Sequence, residues 1–76
     1  MNQDTITRKI ENCIRRKVLF ELSYNKENTY VTIDTDIHKN DLSIFDIKEF
    51  DIWMKQKNII YEPTISETEY LTIIIK

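Results

Sequence analysis

Three side chains able to ligate a cation stand at alternate positions, Asp34, Asp36 and His38, with Asp41 close behind. In an extended strand, residues i, i+2 and i+4 share a face, so this spacing would aim two carboxylates and an imidazole at one point. Such a set suits a divalent ion and, with it, a metal-dependent nuclease. Asp is equally at home where a strand runs out into a polar loop, and no second carboxylate cluster is bound to complete a hard-cation shell. The expectation is therefore no metal and no cofactor. Nucleophilic catalysis fits less well. Cys13 falls on an apolar helical stripe, and the single His38 lies a strand and a turn away, so the thiol reads as a buried structural group. The chain has no glycine, which excludes glycine-rich phosphate loops and leaves any positive-φ position to Asn or Asp.

The elements that must position these residues follow from hydrophobic periodicity. From Asp4 to about Arg16, Ile6, Ile10, Cys13 and Ile14 recur at helical spacing behind an Asp4 or Thr5 cap. Val18, Phe20 and Leu22 then alternate with Leu19, Glu21 and Ser23, the period-two pattern of a half-buried strand. Asn25-Lys26-Glu27-Asn28 supplies a turn, and Tyr30 to Ile37 alternates again. After the polar break His38-Lys39-Asn40-Asp41, Ser43 stands three residues before Asp46 as a capping pair. A second helix to about Gln56 follows, with Ile44, Ile47, Phe50, Trp53 and Met54 as its stripe and Phe45 and Ile52 toward the flank. Asn58 to Tyr61 reads as a third strand, Pro63 to Thr68 as its turn, and Tyr70 to Ile75 as a fourth strand buried on both faces.

This is a two-layer α+β fold in the order αββαββ, one domain over residues 1–76. Tyr30, Thr32 and Ile33 recur forty positions on as Tyr70, Thr72 and Ile73, and Ile10, Cys13 and Ile14 match Phe50, Trp53 and Met54. Half-repeats over 1–39 and 40–76 would be related by a pseudo-twofold. Pro63 lacks an N–H and belongs on an edge. With strand four central, the antiparallel order becomes 1-2-4-3, with both helices on one face.

Composition bounds the function. A chain of 76 residues, 41% hydrophobic and 32% charged with net charge −2, belongs with soluble globular domains. It shows no membrane-length apolar run, and Met1-Asn2-Gln3-Asp4 does not open like a signal peptide. One cysteine suits a reducing compartment, so a cytoplasmic location is expected. The abundance of Ile, Lys and Asn and the absence of Gly and Ala follow AT-rich codons, which points to a low-GC genome, a mobile element or a phage.

Charge is unevenly spread. Residues 1–17 carry five cations against Asp4 and Glu11, and Arg8, Lys9, Arg15 and Arg16 would give the first helix a basic face for nucleic acid or an anionic partner. Residues 34–51 carry Asp34, Asp36, Asp41, Asp46, Glu49 and Asp51 against Lys39 and Lys48, an acidic surface suited to steered association or to imitating phosphates. If Val31, Ile33, Leu71 and Ile73 face the helices, the back of the sheet displays Tyr30, Thr32, Tyr70, Thr72 and Ile74, with Tyr30 beside Tyr70 and Ile59, Tyr61 and Leu19 nearby. Tyr30, Tyr61, Tyr70 and Ile74 would then form an aromatic patch of the kind that marks interfaces, in a homodimer or against another protein. The expected function is non-enzymatic protein binding. An inhibitor or regulator encoded by a phage or mobile element would act in the host cytoplasm on a complex such as a CRISPR effector or other nucleic-acid-handling machinery, an anti-defence role. A nucleic-acid-binding regulator using the first helix is the alternative, and the nuclease stands third.

Overall fold

Helix α1 (Gln3–Ile14) buries Ile6, Ile10, Cys13 and Ile14, the stripe its periodicity predicts. The computed structural model describes residues 3–25, 27 and 29–76; the turn residues Lys26 and Asn28, like Met1 and Asn2, lie outside them. Strands β1 (Phe20–Asn25) and β2 (Tyr30–His38) form the first hairpin, and a 3₁₀ helix over Lys39–Ile44 leads into α2 (Ile47–Gln56). Strands β3 (Tyr61–Ile65) and β4 (Tyr70–Ile75) close the chain.

The sheet is antiparallel in the order β1-β2-β4-β3, as expected from Pro63, which sits on the edge strand. Both helices cover one face. The buried hydrophobic side chains of the strands, Ile33, Ile37, Leu71 and Ile73, all lie on that face and join Ile10, Phe50 and Met54 in a single core. Six of these side chains are wholly enclosed, Ile10, Ile33, Ile37, Phe50, Met54 and Ile73, and burial of each contributes about 1.5–3 kcal/mol. The element order is a circular permutation of the ferredoxin-like arrangement, an analogy of fold that assigns no function.

The forty-residue offset has a geometric counterpart. Ile33 pairs directly with Ile73 at the centre of the sheet, and Lys9 Nζ meets Glu49 Oε1 at 3.0 Å across the two helices. Both pairs are forty apart and sit where a pseudo-twofold axis would pass. The symmetry fails in the outer strands. Asn25 pairs with Tyr30 across a four-residue connection, whereas Ile65 pairs with Leu71 across five. A one-residue slip sends every side chain to the other face. Tyr61 therefore stands on the helix face, equivalent to Phe20 and not to Glu21.

Several boundaries differ from the sequence expectation. α1 stops at Ile14, because Arg15 adopts a left-handed backbone (φ 62°) while the Arg15 and Arg16 amides both close onto the Glu11 carbonyl. The cap of α2 is Asp46, whose carboxylate accepts from the Glu49 amide at 3.0 Å; Ser43 lies in the 3₁₀ helix instead. That turn swings Phe45 into the core and leaves Ile44 exposed, the reverse of their expected places. Strand β3 begins at Tyr61 and runs through Pro63, which an edge strand tolerates. Strand β4 is buried on both faces only at its middle, where Thr72 is enclosed behind Leu71 and Ile73, while Tyr70 is exposed. Of the four positive-φ residues among the described residues, Arg15, Thr29, Asn58 and Glu69, only Asn58 is of the expected type.

Candidate functional site

The open face of the sheet is more polar than expected. Strand pairing places Glu21 and Ser23 of β1, Thr32 and Asp34 of β2, Thr72 and Ile74 of β4, and Glu62 and Thr64 of β3 side by side on it. Asp34 accepts from the Thr72 hydroxyl at 2.9 Å. Ile74 thus sits between Thr32 and Glu62, not within an aromatic patch. Tyr30 and Tyr70 are not neighbours. The antiparallel register sets Tyr70 against His38, at the far end of β2 from Tyr30, whose hydroxyl accepts from the Asn25 side chain. Tyr61 packs edge-on against Phe50 in the core, with ring centroids 5.2 Å apart, and Ile59 also packs against the core. Thr32, Thr72 and Ile74 lie on the open face as expected, and Leu19 is exposed.

The basic and acidic sets meet in two pairs. Arg16 Nη1 lies 3.1 Å from Asp36 Oδ1 and also donates to the Lys17 carbonyl, and Lys9 pairs with Glu49. Arg8 and Arg15 are exposed, but Arg15 and Arg16 lie beyond the end of α1, so the four cations form no single helical face. Among the acids, Asp46 is spent on the cap of α2, and Asp51 holds Lys55 at 2.8 Å and the Tyr61 hydroxyl at 3.0 Å. Those two contacts, Lys55 first, keep the Asp51 carboxyl below the usual carboxylate range. Asp41 is half-buried in the 3₁₀ helix.

The Asp34, Asp36 and His38 trio does not converge. Asp34 turns to Thr72 and Asp36 to Arg16, while His38 Nδ1 accepts from the Asn40 amide at 3.1 Å and caps the 3₁₀ helix. Nε2 then carries the imidazole proton and faces Glu69 Oε2 at 3.4 Å. The Glu69 carboxyl is held below its ordinary range, chiefly by Lys39 and then by His38. No group of three His, Cys, Asp or Glu side chains among the described residues is placed to hold a metal ion. Cys13 is enclosed between the helices, and burial, reinforced by Glu49, pushes its thiol up to about 11.

What the chain does present is an apolar groove of about 300 Å³ beside the β3 edge. It is lined by Leu42 and Phe45 of the 3₁₀ segment, Ile47 at the start of α2, Pro63, Thr64 and Ile65 of β3, and Leu71 of β4. Ile47 and Ile65 stand at its rim, 43% and 41% exposed, with Ile44 beside them at 62%. The sequence reading missed this site. Its signal was the crowding of Leu42, Ile44, Phe45 and Ile47 into six residues, more apolar side chains than one helical stripe can bury. A concavity of this size admits one or two large side chains, and Pro63 breaks the backbone ladder an extended peptide would use. The groove therefore suits an apolar anchor projecting from a folded partner. Its chain neighbours Asp41 and Asp46 favour cations around that anchor.

No family model, curated protein or solved structure matches the chain. No helix among the described residues is long and apolar enough to cross a membrane.

Proposed function

We propose that this chain is a small non-enzymatic protein-binding module whose apolar groove receives a hydrophobic anchor of a partner protein. The observation that carries this reading is the groove itself: a concave apolar site with isoleucines exposed at its rim. Desolvated pockets of this kind are where interface energy concentrates. The compositional bias toward AT-rich codons supports a phage or mobile element as the source. A partner among host nucleic-acid-handling complexes, such as a CRISPR effector, follows from that source, with inhibition in the host cytoplasm as the outcome.

The test is paired affinity capture from a low-GC bacterial lysate with the wild-type chain and with Ile47→Lys/Ile65→Lys, followed by reconstitution with the purified partner. The expected result is a partner retained by the wild type, released by the double variant, and inhibited only by the former. A captured partner indifferent to both substitutions would move the site elsewhere. Nucleic acid bound with a steep salt dependence that Arg15→Ala/Arg16→Ala shallows would replace this reading with the nucleic-acid one.

A further inference from the structure

The two edges of the sheet are unlike. On β3, Pro63 lacks an N–H at the middle of the strand, which prevents a continuous ladder with another chain. On β1, the six residues Phe20–Asn25 contain neither proline nor lysine, the usual means of blunting an edge, and no described strand lies beyond it. Exposed apolar side chains gather on this edge and its lead-in: Leu19 is 76% exposed, Leu22 37% and Tyr24 68%. Phe20, Leu22 and Tyr24 stand on the helix face, since their partners across the hairpin are Thr35, Ile33 and Val31. The helices thus leave the outer half of this face uncovered.

We propose that two copies of this chain associate through β1, paired antiparallel about a twofold axis at Leu22, to make one continuous eight-stranded sheet. The register follows from the side chains. In a twofold antiparallel ladder with both helix layers on one side, paired residues share a face, so one residue of β1 must stand opposite its own copy. An axis at Glu21 would oppose two carboxylates, which destabilises a cross-strand pair. An axis at Ser23 would leave Leu19 and Phe20 with no strand residue opposite, since β1 ends at Asn25. An axis at Leu22 sets Phe20 against Tyr24 of the second copy, Leu22 against itself and Glu21 against Ser23. Leu19, 76% exposed just before the strand, falls opposite Asn25 at its far end, so the register uses the whole of β1. The edge is therefore complementary to itself: apolar residues meet apolar ones, and the carboxylate of Glu21 meets the hydroxyl of Ser23.

Pro63 also decides how the assembly ends. Pairing β1 of one copy with β3 of the next would repeat without limit, and the proline forbids it, so association closes at two. The groove lies at the opposite edge of the sheet and stays open in both copies.

Sedimentation of the full chain across about 5–500 µM reads the proposal directly. A monomer–dimer equilibrium is expected, and Leu22→Lys, which sets two ammonium groups across the axis, should raise the dissociation constant by on the order of 100-fold. Tyr24→Lys, at an exposed position opposite Phe20 of the second copy, should weaken association by about tenfold. Thermal melts confirm that each variant is folded, and Tyr24→Lys keeps the test decisive if Leu22→Lys is not. A monomer throughout the range, or a dimer untouched by a folded Leu22→Lys or Tyr24→Lys variant, would overturn it. The groove variant Ile47→Lys/Ile65→Lys should dimerise as the wild type does, so loss of one property leaves the other standing.

Discussion

The hydroxyl of Tyr61 donates to Asp51 Oδ1 over 3.0 Å, tying the edge strand β3 to α2 while the ring packs on Phe50. Burial first, and the neighbouring carboxylate second, push the Tyr61 phenol up from 10 to about 12. The unfolded phenol ionises at the lower value, so the stabilisation is complete below pH 10 and is lost as the pH rises toward 12. Urea unfolding between pH 9 and 12 should show this alkaline loss, and Tyr61→Phe should reduce it while slightly lowering the midpoint at pH 7. A limb of unchanged slope in the variant would contradict the bond.

Cys13 behaves in the same direction one step earlier. With its thiol raised from 9 to about 11, stability declines across that interval as the unfolded thiol ionises first. The enclosed sulfur should react with iodoacetamide at pH 8 on the order of 100-fold more slowly than in urea-unfolded chain, because modification must await opening. Equal rates in the two conditions would place the thiol at the surface.

Core and open face should respond differently to truncation. Phe50 is wholly buried, and Phe50→Ala should cost about 3–5 kcal/mol, enough to unfold much of a domain this small. Tyr70 is 38% exposed and meets the His38 ring edge-on at 5.5 Å, so Tyr70→Ala should cost only about 1 kcal/mol. Denaturant titrations of both variants separate the two expectations.

The start of α2 offers a finer comparison. Asp46→Ala removes the acceptor of the Glu49 amide and should cost about 1 kcal/mol, whereas Ser43→Ala, at an exposed position of the 3₁₀ helix, should change stability by less than about 0.5 kcal/mol. Comparable losses in the two would mean that the helix begins earlier.

The topology was legible because two local signals agree. Pro63 names an edge, and the nearly unbroken apolar and β-branched run from Tyr70 to Ile75 names a centre, which together leave one antiparallel order. The site was not legible, for reasons that can be located. Tyr61 changes face through one additional residue in the second hairpin, and hairpin register is invisible to periodicity when the flanking strand is short and carries Pro63. The groove depends on Phe45 turning inward at a break between a 3₁₀ and an α segment, which a continuous helical stripe conceals. The charged surfaces read from the sequence are broken in part for a third reason: Lys9 with Glu49 and Arg16 with Asp36 are twenty to forty residues apart in the chain and meet only in the fold.

The left-handed backbones at Arg15, Thr29, Asn58 and Glu69 have a consequence for the unfolded chain. Each non-glycine residue in that region costs on the order of 1 kcal/mol in the native state, more for β-branched Thr29. Arg15→Gly, at the residue that ends α1, should therefore raise stability by about 0.5–1 kcal/mol net in thermal or urea unfolding. Glu69→Gly should not, since its carboxylate holds Lys39 and His38. The net gain at any one site is small because a chain with no glycine has a stiffer denatured ensemble, with fewer backbone states to surrender on folding. Local strain in four turns is thus offset by reduced disorder along the whole length of the unfolded polymer, which lets so small a core hold a four-stranded sheet.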